Sequence, residues 1–391
     1  MTPDARIATA AELLDSILDG QPAEQVLTGW ARRSRFAGSK DRAAIRDHVF
    51  DALRCRRSYA LLGGGMTGRG LMFGQLLAQG RAPEEAFTGQ GHAPAQLTED
   101  ETAALRRDVE AALAEAPAPV AGDMPDWIWP LLTEALGADA ARAAALLRQR
   151  APVFLRVNTA RGDLETARAS LLRDGIETQE HPLSPTALEV TSGARQVARS
   201  TAYETGLVEL QDAASQALSD ALPLRNGMTI LDYCAGGGGK TLAMAAHVQA
   251  RITAHDANPG RLSDLPARAA RAGVDVAIAR QPKGPFDLVL CDVPCSGSGA
   301  WRRSPEGKWA LTTDALADLN RTQDEILQKA AALTAQDGVL AYATCSLFRA
   351  ENEDRIAKFL SETKGWVLDF DRRWLPQMGG DGFYLACLRR G

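Results

Sequence analysis

TILDYCAGGGGKT, residues 229–241, decides how this 391-residue chain is read: a short apolar run, an acid, four glycines in a row, then a lysine. The apolar run predicts a buried strand over 229–233, and residues 240–248 predict the helix that follows. Glycines at such a junction let the backbone turn tightly and come close to a ligand, with helix N–H groups exposed toward it. Three ligand classes use a junction of this kind, and spacing separates them. A phosphate-cradling loop needs a glycine five residues before Gly239, where this chain has Cys234. The dinucleotide pattern G-x-G-x-x-G, started at Gly236, needs glycine or alanine where Thr241 stands.

What the junction does carry is an acid followed by small residues at alternate positions: Asp232, Cys234, Gly236 and Gly238. This resembles the cofactor loop of S-adenosylmethionine-dependent methyltransferases. Beyond it, RITAHD at 251–256 predicts a second strand ending in Asp256, where a Rossmann-like sheet holds ribose hydroxyls. Helix and strand then alternate: helix 259–272, strand 274–279, FDLVLCD ending at Asp292, helix 313–335, GVLAYATC ending at Cys345, helix 351–360 and strand 383–388. Alternation of this kind predicts a parallel sheet with helices on both faces.

Ligands of open α/β sheets bind at the carboxyl ends of the strands, and two predicted strands here end in DVPCSGSG (292–299) and TCS (344–346). If those strands are neighbours, the thiols of Cys295 and Cys345 face the cofactor's methyl group. Such an arrangement suits methylation of a pyrimidine at carbon 5, which is too weak a nucleophile alone. A thiolate adding at carbon 6 turns the ring into an enamine, and carbon 5 then attacks the sulfonium methyl. An acid near the ring, here Asp292, hydrogen-bonds the N3 and N4 edge. A second base helps remove the carbon 5 proton and eliminate the enzyme. Spacing alone leaves open which thiol attacks. Cys55, Cys291 and Cys387 read instead as small core hydrophobes.

The six cysteines form no C-x-x-C pair, so neither a disulfide framework nor a metal site is expected. The net charge of −5 argues against a protein that coats polyanions, while leaving room for local basic patches. The N-terminus shows no signal-like apolar core and no stretch is long enough to span a bilayer, so a cytoplasmic protein is expected. Residues 1–60 predict amphipathic helices, with a basic stretch in which Arg42 and Arg46 share one helix face and offer guanidinium groups to phosphates. Residues 63–91 are glycine-rich and read as a loose helical connection; residues 101–115 predict a helix, and APAPVAGDMP reads as a linker. WRRSPEGKW (301–309) interleaves Arg302, Arg303 and Lys308 with tryptophans, which suits phosphate and base contacts.

Together these motifs resemble the Sun-type (NOL/NOP/Sun) RNA cytosine-5 methyltransferase family, whose bacterial members act on small-subunit ribosomal RNA. The resemblance rests on DYCAGGGGKT (232–241), DVPCSGSGAWRRSPEGKW (292–309) and YATCS (342–346) followed by Glu351-Asn352-Glu353, with QDAASQ (211–216), Gln323 and DGFYLA (381–386) as further matches. It covers about residues 125–390, and residues 1–120 are more weakly similar to the NusB-like RNA-binding domain of the ribosomal members. It implies that Cys345 attacks and Cys295 aids release, and that Cys234, Ala235, Gly236, Gly237, Gly238, Gly239 and Lys240 surround the methionine part of the cofactor. It also implies that Asp256 holds the ribose and that Asp292 lies between cofactor and base. Two departures stand out: Gly236 and Gly237 replace Ala-Pro, which predicts a floppier loop, and the acid usual near the adenine is missing from IARQPKGPFD (278–287).

The expected organisation is α/β: a helical NusB-like domain over 1–120, a small α+β unit over 125–205 that presents RNA, and a Rossmann-like methyltransferase domain over 206–391. The expected function is S-adenosylmethionine-dependent methylation of RNA cytosine at carbon 5, ribosomal RNA being the foremost partner. Transfer RNA methylation and a non-catalytic RNA-binding assembly factor are the alternatives; a DNA substrate is a third, disfavoured by the Thr-Cys pattern.

Overall fold

The computed structural model describes residues 1–391 and divides into two compact units, Met1–Arg150 with Trp301–Ala310 and Ala151–Ala300 with Leu311–Gly391. The second unit opens with an antiparallel sheet of β1 (Val153–Val157), β2 (Glu177–Glu180), β3 (Ala187–Ser192) and β4 (Val208–Leu210), in the order β2-β3-β1-β4. Leu155 and Val157, two apart on β1, pack with Leu188 and Val208 against Ala167 and Leu171 of the helix Leu164–Arg173. β4 is not expected from the sequence, because three residues are too few for alternation to register.

Seven more strands form the larger sheet: β5 (Thr229–Asp232), β6 (Arg251–Ala254), β7 (Val276–Ile278), β8 (Phe286–Asp292), β9 (Thr334–Thr344), β10 (Trp366–Trp374) and β11 (Phe383–Arg390), in the order β10-β11-β9-β8-β5-β6-β7. β5 through β9 pair in parallel, and β11 runs antiparallel to both β9 and β10. Burial on two faces follows the period of two. On β8, Leu288 and Leu290 pack with Leu218 and Met244 on one side, while Val289 and Cys291 pack with Leu327, Ile356 and Phe359 on the other. The Rossmann-like α/β class is therefore the observed one. β8 and β9 are neighbours, with Asp292 opposite Ala343, so the two cysteine-bearing loops leave the sheet side by side. β10 escapes the sequence reading because it is an edge strand with mostly exposed residues and little hydrophobic contrast.

The first unit is helical, built on Pro3–Leu18, Ala23–Arg33, Ser39–Arg54, Arg56–Gly63 and Gly68–Ala78 around Ile7, Leu14, Ile45, Leu53 and Phe73. Three segments differ from expectation. The glycine-rich stretch is not loose: it contains the buried helix Gly68–Ala78, whose glycines permit backbone contact. A Cβ on Gly68 would lie 1.9 Å from the Ala11 carbonyl oxygen, and one on Gly74 2.0 Å from that of Tyr59. The expected linker carries the short helix Ala118–Ala121 and ends in a buried staple. Asp123, in the left-handed region at φ 52°, accepts from the Arg57 and Ser58 N–H groups and the Ser58 hydroxyl, and pairs with Arg148 at 2.7 Å. The helices Ile128–Leu136 and Ala140–Leu147 also group with this unit. The single helix expected over 101–115 is two, Glu99–Ala104 and Val109–Ala114. No helix in the chain is long and apolar enough to cross a membrane.

Candidate active site

Asp232 ends β5 and is buried. Its Oδ2 accepts from Thr241 Oγ1 at 2.6 Å, while the buried Oδ1 has no partner. Burial pushes this carboxyl from the ordinary 3.8 up to about 7; the Asp292 and Asp256 charges add to the rise, and Thr241 and Lys240 oppose it. The glycine loop follows. Gly236 (φ 52°) and Gly238 (φ 83°) take left-handed conformations, and a Cβ on Gly238 would strike Leu265 Cδ1 at 2.4 Å. Gly238 caps the helix Gly239–His247. The loop is tied on both sides: the Gly236 N–H donates to Asp256 Oδ2 at 2.9 Å, and the Arg268 guanidinium donates to the Gly237 carbonyl. The expected floppiness of the four glycines is thus countered by neighbouring side chains.

Asp256, just past β6, is buried, accepts from the Asn258 N–H at 2.9 Å and pairs with Arg261 at 3.4 Å. Lys240, also buried, donates to Asp292 Oδ2 at 2.6 Å, and its Nζ sits 4.9 Å from the centre of the Phe383 ring. Its ammonium is held charged, because the Asp292 and Cys345 fields outweigh the opposing effect of burial. Asp232, Lys240 and Asp292 line one cavity of about 500 Å³ together with Cys234, Ala235, Cys295 and Cys345, a size suited to a small cofactor, while Asp256 meets the cavity's glycine loop through the Gly236 N–H rather than lining the cavity itself. The unsatisfied buried oxygen of Asp232 and the Asp292 carboxylate fit a ligand with a cationic end, as S-adenosylmethionine has. No three metal-ligating side chains gather anywhere in the chain.

The thiols meet at the strand ends, with Cys295 Sγ 3.4 Å from Cys345 Sγ. Cys295 is pushed well above the ordinary thiol range, first by its hydrogen bond to the Cys345 sulfur, then by burial and the charges of Cys345 and Glu351. Cys55, Cys291 and Cys387 are buried single thiols, as the sequence indicates. The supporting residue is Glu351, to which the sequence reading assigns no role. Fully buried, it accepts from the Ser296 N–H at 2.8 Å, from the Ser296 and Ser346 hydroxyls at 2.5 Å each, and from Gln323 Nε2 at 3.1 Å. Gln323 also donates to the Pro294 carbonyl at 2.9 Å. One carboxylate thus clamps the residue after each cysteine. The signal was available: Glu351 and Gln323 stand in the matched motifs, and a buried glutamate needs several donors.

The basic residues separate into two sets. Arg42 and Arg46 lie exposed on the helix Ser39–Arg54, where Arg46 pairs with Glu24 and covers the Phe50 ring, and Arg42 donates to the Ala37 carbonyl. Arg303 is exposed, but Arg302 and Lys308 are buried in the helical unit. Lys308 Nζ donates to the Arg54 carbonyl at 3.1 Å, Trp309 Nε1 to that of Leu53 at 2.7 Å, and Arg54 Nε to that of Arg302 at 2.7 Å. Burial pulls the Lys308 ammonium down from 10.5 to about 8 despite the Asp123 charge. Lys308 and Arg302 are core residues of the helical unit, which corrects their reading as RNA contacts.

Comparison with known proteins agrees with this construction. Residues 219–389 match the family model described as 16S rRNA methyltransferase RsmB/F, and residues 124–197 match the ferredoxin-like domain of RsmF/B-like methyltransferases. The ribosomal RNA small subunit methyltransferase B of Proteus mirabilis is 32% identical over 253 residues, covering 62% of this chain and 60% of that protein. The chain thus matches less than two thirds of that curated relative's length. Among solved structures, PH0851 is 21% identical with a TM-score of 0.75 across 100% of this chain and 99% of that one. A methyltransferase homologue from Pyrococcus horikoshii is 23% identical with a TM-score of 0.61, across 70% of this chain and 98% of that one. These two likenesses concern the fold. By the motifs, the sheet and the matches over residues 124–389, the chain belongs to the RsmB/F family of S-adenosylmethionine-dependent methyltransferases.

Proposed function

We propose that this chain methylates carbon 5 of a cytosine in small-subunit ribosomal RNA, with Cys345 bonding to carbon 6 and Cys295 aiding release. The observation that carries the proposal is the pair of thiols 3.4 Å apart on the wall of the cavity that also holds the glycine loop and the Lys240–Asp292 pair. Bound there, S-adenosylmethionine supplies an electrophilic methyl group. Cys234 to Lys240 would enclose its methionine part, and Asp256 would receive the ribose hydroxyls. Asp292, held by Lys240, accepts from the amino edge of the base as charge develops on the ring. The Cys345 thiolate adds to carbon 6, favoured by the Lys240 cation and by the hydrogen bond from Cys295. With the cofactor bound, carbon 5 would take the methyl group as the sulfonium bond breaks; the carbon 5 proton would then pass to water, and the electron pair left behind would expel Cys345 as thiolate. Cys295 steadies that departing charge. Glu351 keeps both sulfurs in register. The relatives' names point to the small ribosomal subunit, and Arg42 and Arg46 offer exposed charge for RNA phosphates. Transfer RNA is the remaining substrate class.

The test uses RNA from a strain lacking the protein, S-adenosylmethionine, and Cys295→Ala and Cys345→Ala variants on denaturing gels. Cys295→Ala is expected to leave a trapped protein–RNA band, because attack proceeds while release is blocked, and Cys345→Ala none. Sequencing the trapped RNA names the substrate. Absence of both methyl transfer and adduct on naked RNA and on ribosomal particles would overturn the proposal in favour of a non-catalytic assembly factor.

A further inference from the structure

Four successive glycines, Gly236 to Gly239, are a poor foundation for a cofactor site, because each gives the unbound loop conformations that binding must remove. Two of their backbone groups are nevertheless fixed, one by Asp256 and one by an arginine from the helix Leu265–Ala272. That arginine, Arg268, donates through Nη1 to the Gly237 carbonyl. Its Nη2 lies 3.5 Å from Glu209, a buried carboxylate on β4 that Arg271 also holds at 2.8 Å. Arg271 is in turn stacked over the Tyr203 ring at 4.2 Å. A chain of contacts thus runs from the four-stranded sheet through Glu209 and Arg268 to the most flexible part of the cavity wall.

We propose that Arg268 is a positioning residue for the cofactor: anchored on Glu209, it holds the Gly237 peptide and so keeps the tetraglycine loop in its binding shape. The inference rests on the reading of this cavity as the S-adenosylmethionine site. It carries a steric corollary. The Gly237 N–H makes no hydrogen bond within the chain and its φ lies outside the left-handed region, so an added methyl disturbs only what it touches. What it touches is Arg268 Nη1, 3.1 Å from the ideal Cβ. A side chain at position 237 therefore makes the Arg268 guanidinium give by a few tenths of an ångström, away from its hydrogen bond to the Gly237 carbonyl.

The experiment is calorimetric titration of S-adenosylmethionine into the full chain and its Arg268→Ala, Arg268→Lys, Gly237→Ala and doubly substituted Gly237→Ala/Arg268→Ala forms, with thermal melts of each. Loss of the charge-assisted bond in Arg268→Ala is expected to weaken binding about tenfold, appearing in the cofactor KM rather than kcat. Arg268→Lys, which keeps a cation but not the fork, falls between. Gly237→Ala alone also weakens binding by displacing Arg268. In the double variant the displaced group is gone and alanine narrows the free loop, so binding is no weaker than in Arg268→Ala alone. Wild-type affinity in Arg268→Ala overturns the proposal, as do two single effects that add in full. Wild-type protein that melts cooperatively but binds no S-adenosylmethionine overturns the cofactor reading itself, and the proposal with it.

Discussion

Lys240 and Lys308 are both buried lysines in glycine- or proline-bearing motifs, and they sit in opposite kinds of surroundings. Lys240 opens a helix at a cavity wall, meets a carboxylate at 2.6 Å, and stays charged. Lys308 lies in the packed interior of the helical unit, satisfied by a backbone carbonyl, and burial lowers its pKa to about 8. The first keeps a partner that a ligand can share; the second has spent its hydrogen-bonding on the fold. What distinguishes a functional cation from a structural one here is the partner it faces, since burial is common to both.

The sharpest way to break that contrast is Lys240→Ala. It should weaken S-adenosylmethionine binding and methyl transfer roughly 100-fold while moving the melting temperature by less than about 2 °C. A large loss of melting temperature with binding preserved would make Lys240 a second Lys308. The reverse test is Lys308→Ala, which leaves the Arg54 carbonyl unsatisfied and Asp123 short of a cation. It should cost about 3 kcal/mol of stability in denaturant unfolding and leave the salt dependence of RNA binding unchanged. A flatter salt dependence with unaltered unfolding would restore Lys308 as a phosphate contact.

The smallest effect concerns pH. Asp232 titrates at about 7 in the folded chain against 3.8 when unfolded, so the folded form without cofactor holds a proton that the unfolded chain releases. Stability from this group therefore declines as pH rises from about 4 to 7. A cationic ligand favours the ionised carboxylate, so the Kd for S-adenosylmethionine should fall as pH rises through about 7, by less than tenfold per pH unit. Calorimetry at several pH values checks it, and Asp232→Asn should flatten the curve.

The parallel sheet and the pairing of the two thiols were legible because β5, β8 and β9 are buried on both faces and end in small or reactive residues at the edge where ligands bind. Less of the helical unit was legible. Gly68 and Gly74 give the same local signal whether they loosen a chain or let two backbones touch, and only the partner carbonyls of Ala11 and Tyr59 decide it. The proline-rich stretch around Asp123 reads as solvent-exposed until its buried donors are known. Lys308 misled for the same reason: an interleaving of cations and tryptophans describes an RNA surface and a packed core equally well, and the contacts with Leu53 and Arg54 lie about 250 residues away in sequence. Glu351 was visible as a residue, while its clamp on Ser296 and Ser346 needed the loops after β8 and β9 to be brought together.

The placement of Trp301–Ala310 inside the helical unit has an evolutionary consequence. A domain encoded by one unbroken stretch can be gained, lost or exchanged by a single recombination event at its border. Here the stretch that follows the Cys295 loop has its Arg302 and Lys308 buried and bonded to the helix Ser39–Arg54, encoded near the start of the sequence. Joining such a catalytic unit to a foreign N-terminal domain would leave these side chains without the surroundings they are shaped for. The two parts of this chain are therefore expected to be inherited as a set, with substitutions at Leu53, Arg54 and Asp123 tracking those in residues 301–310.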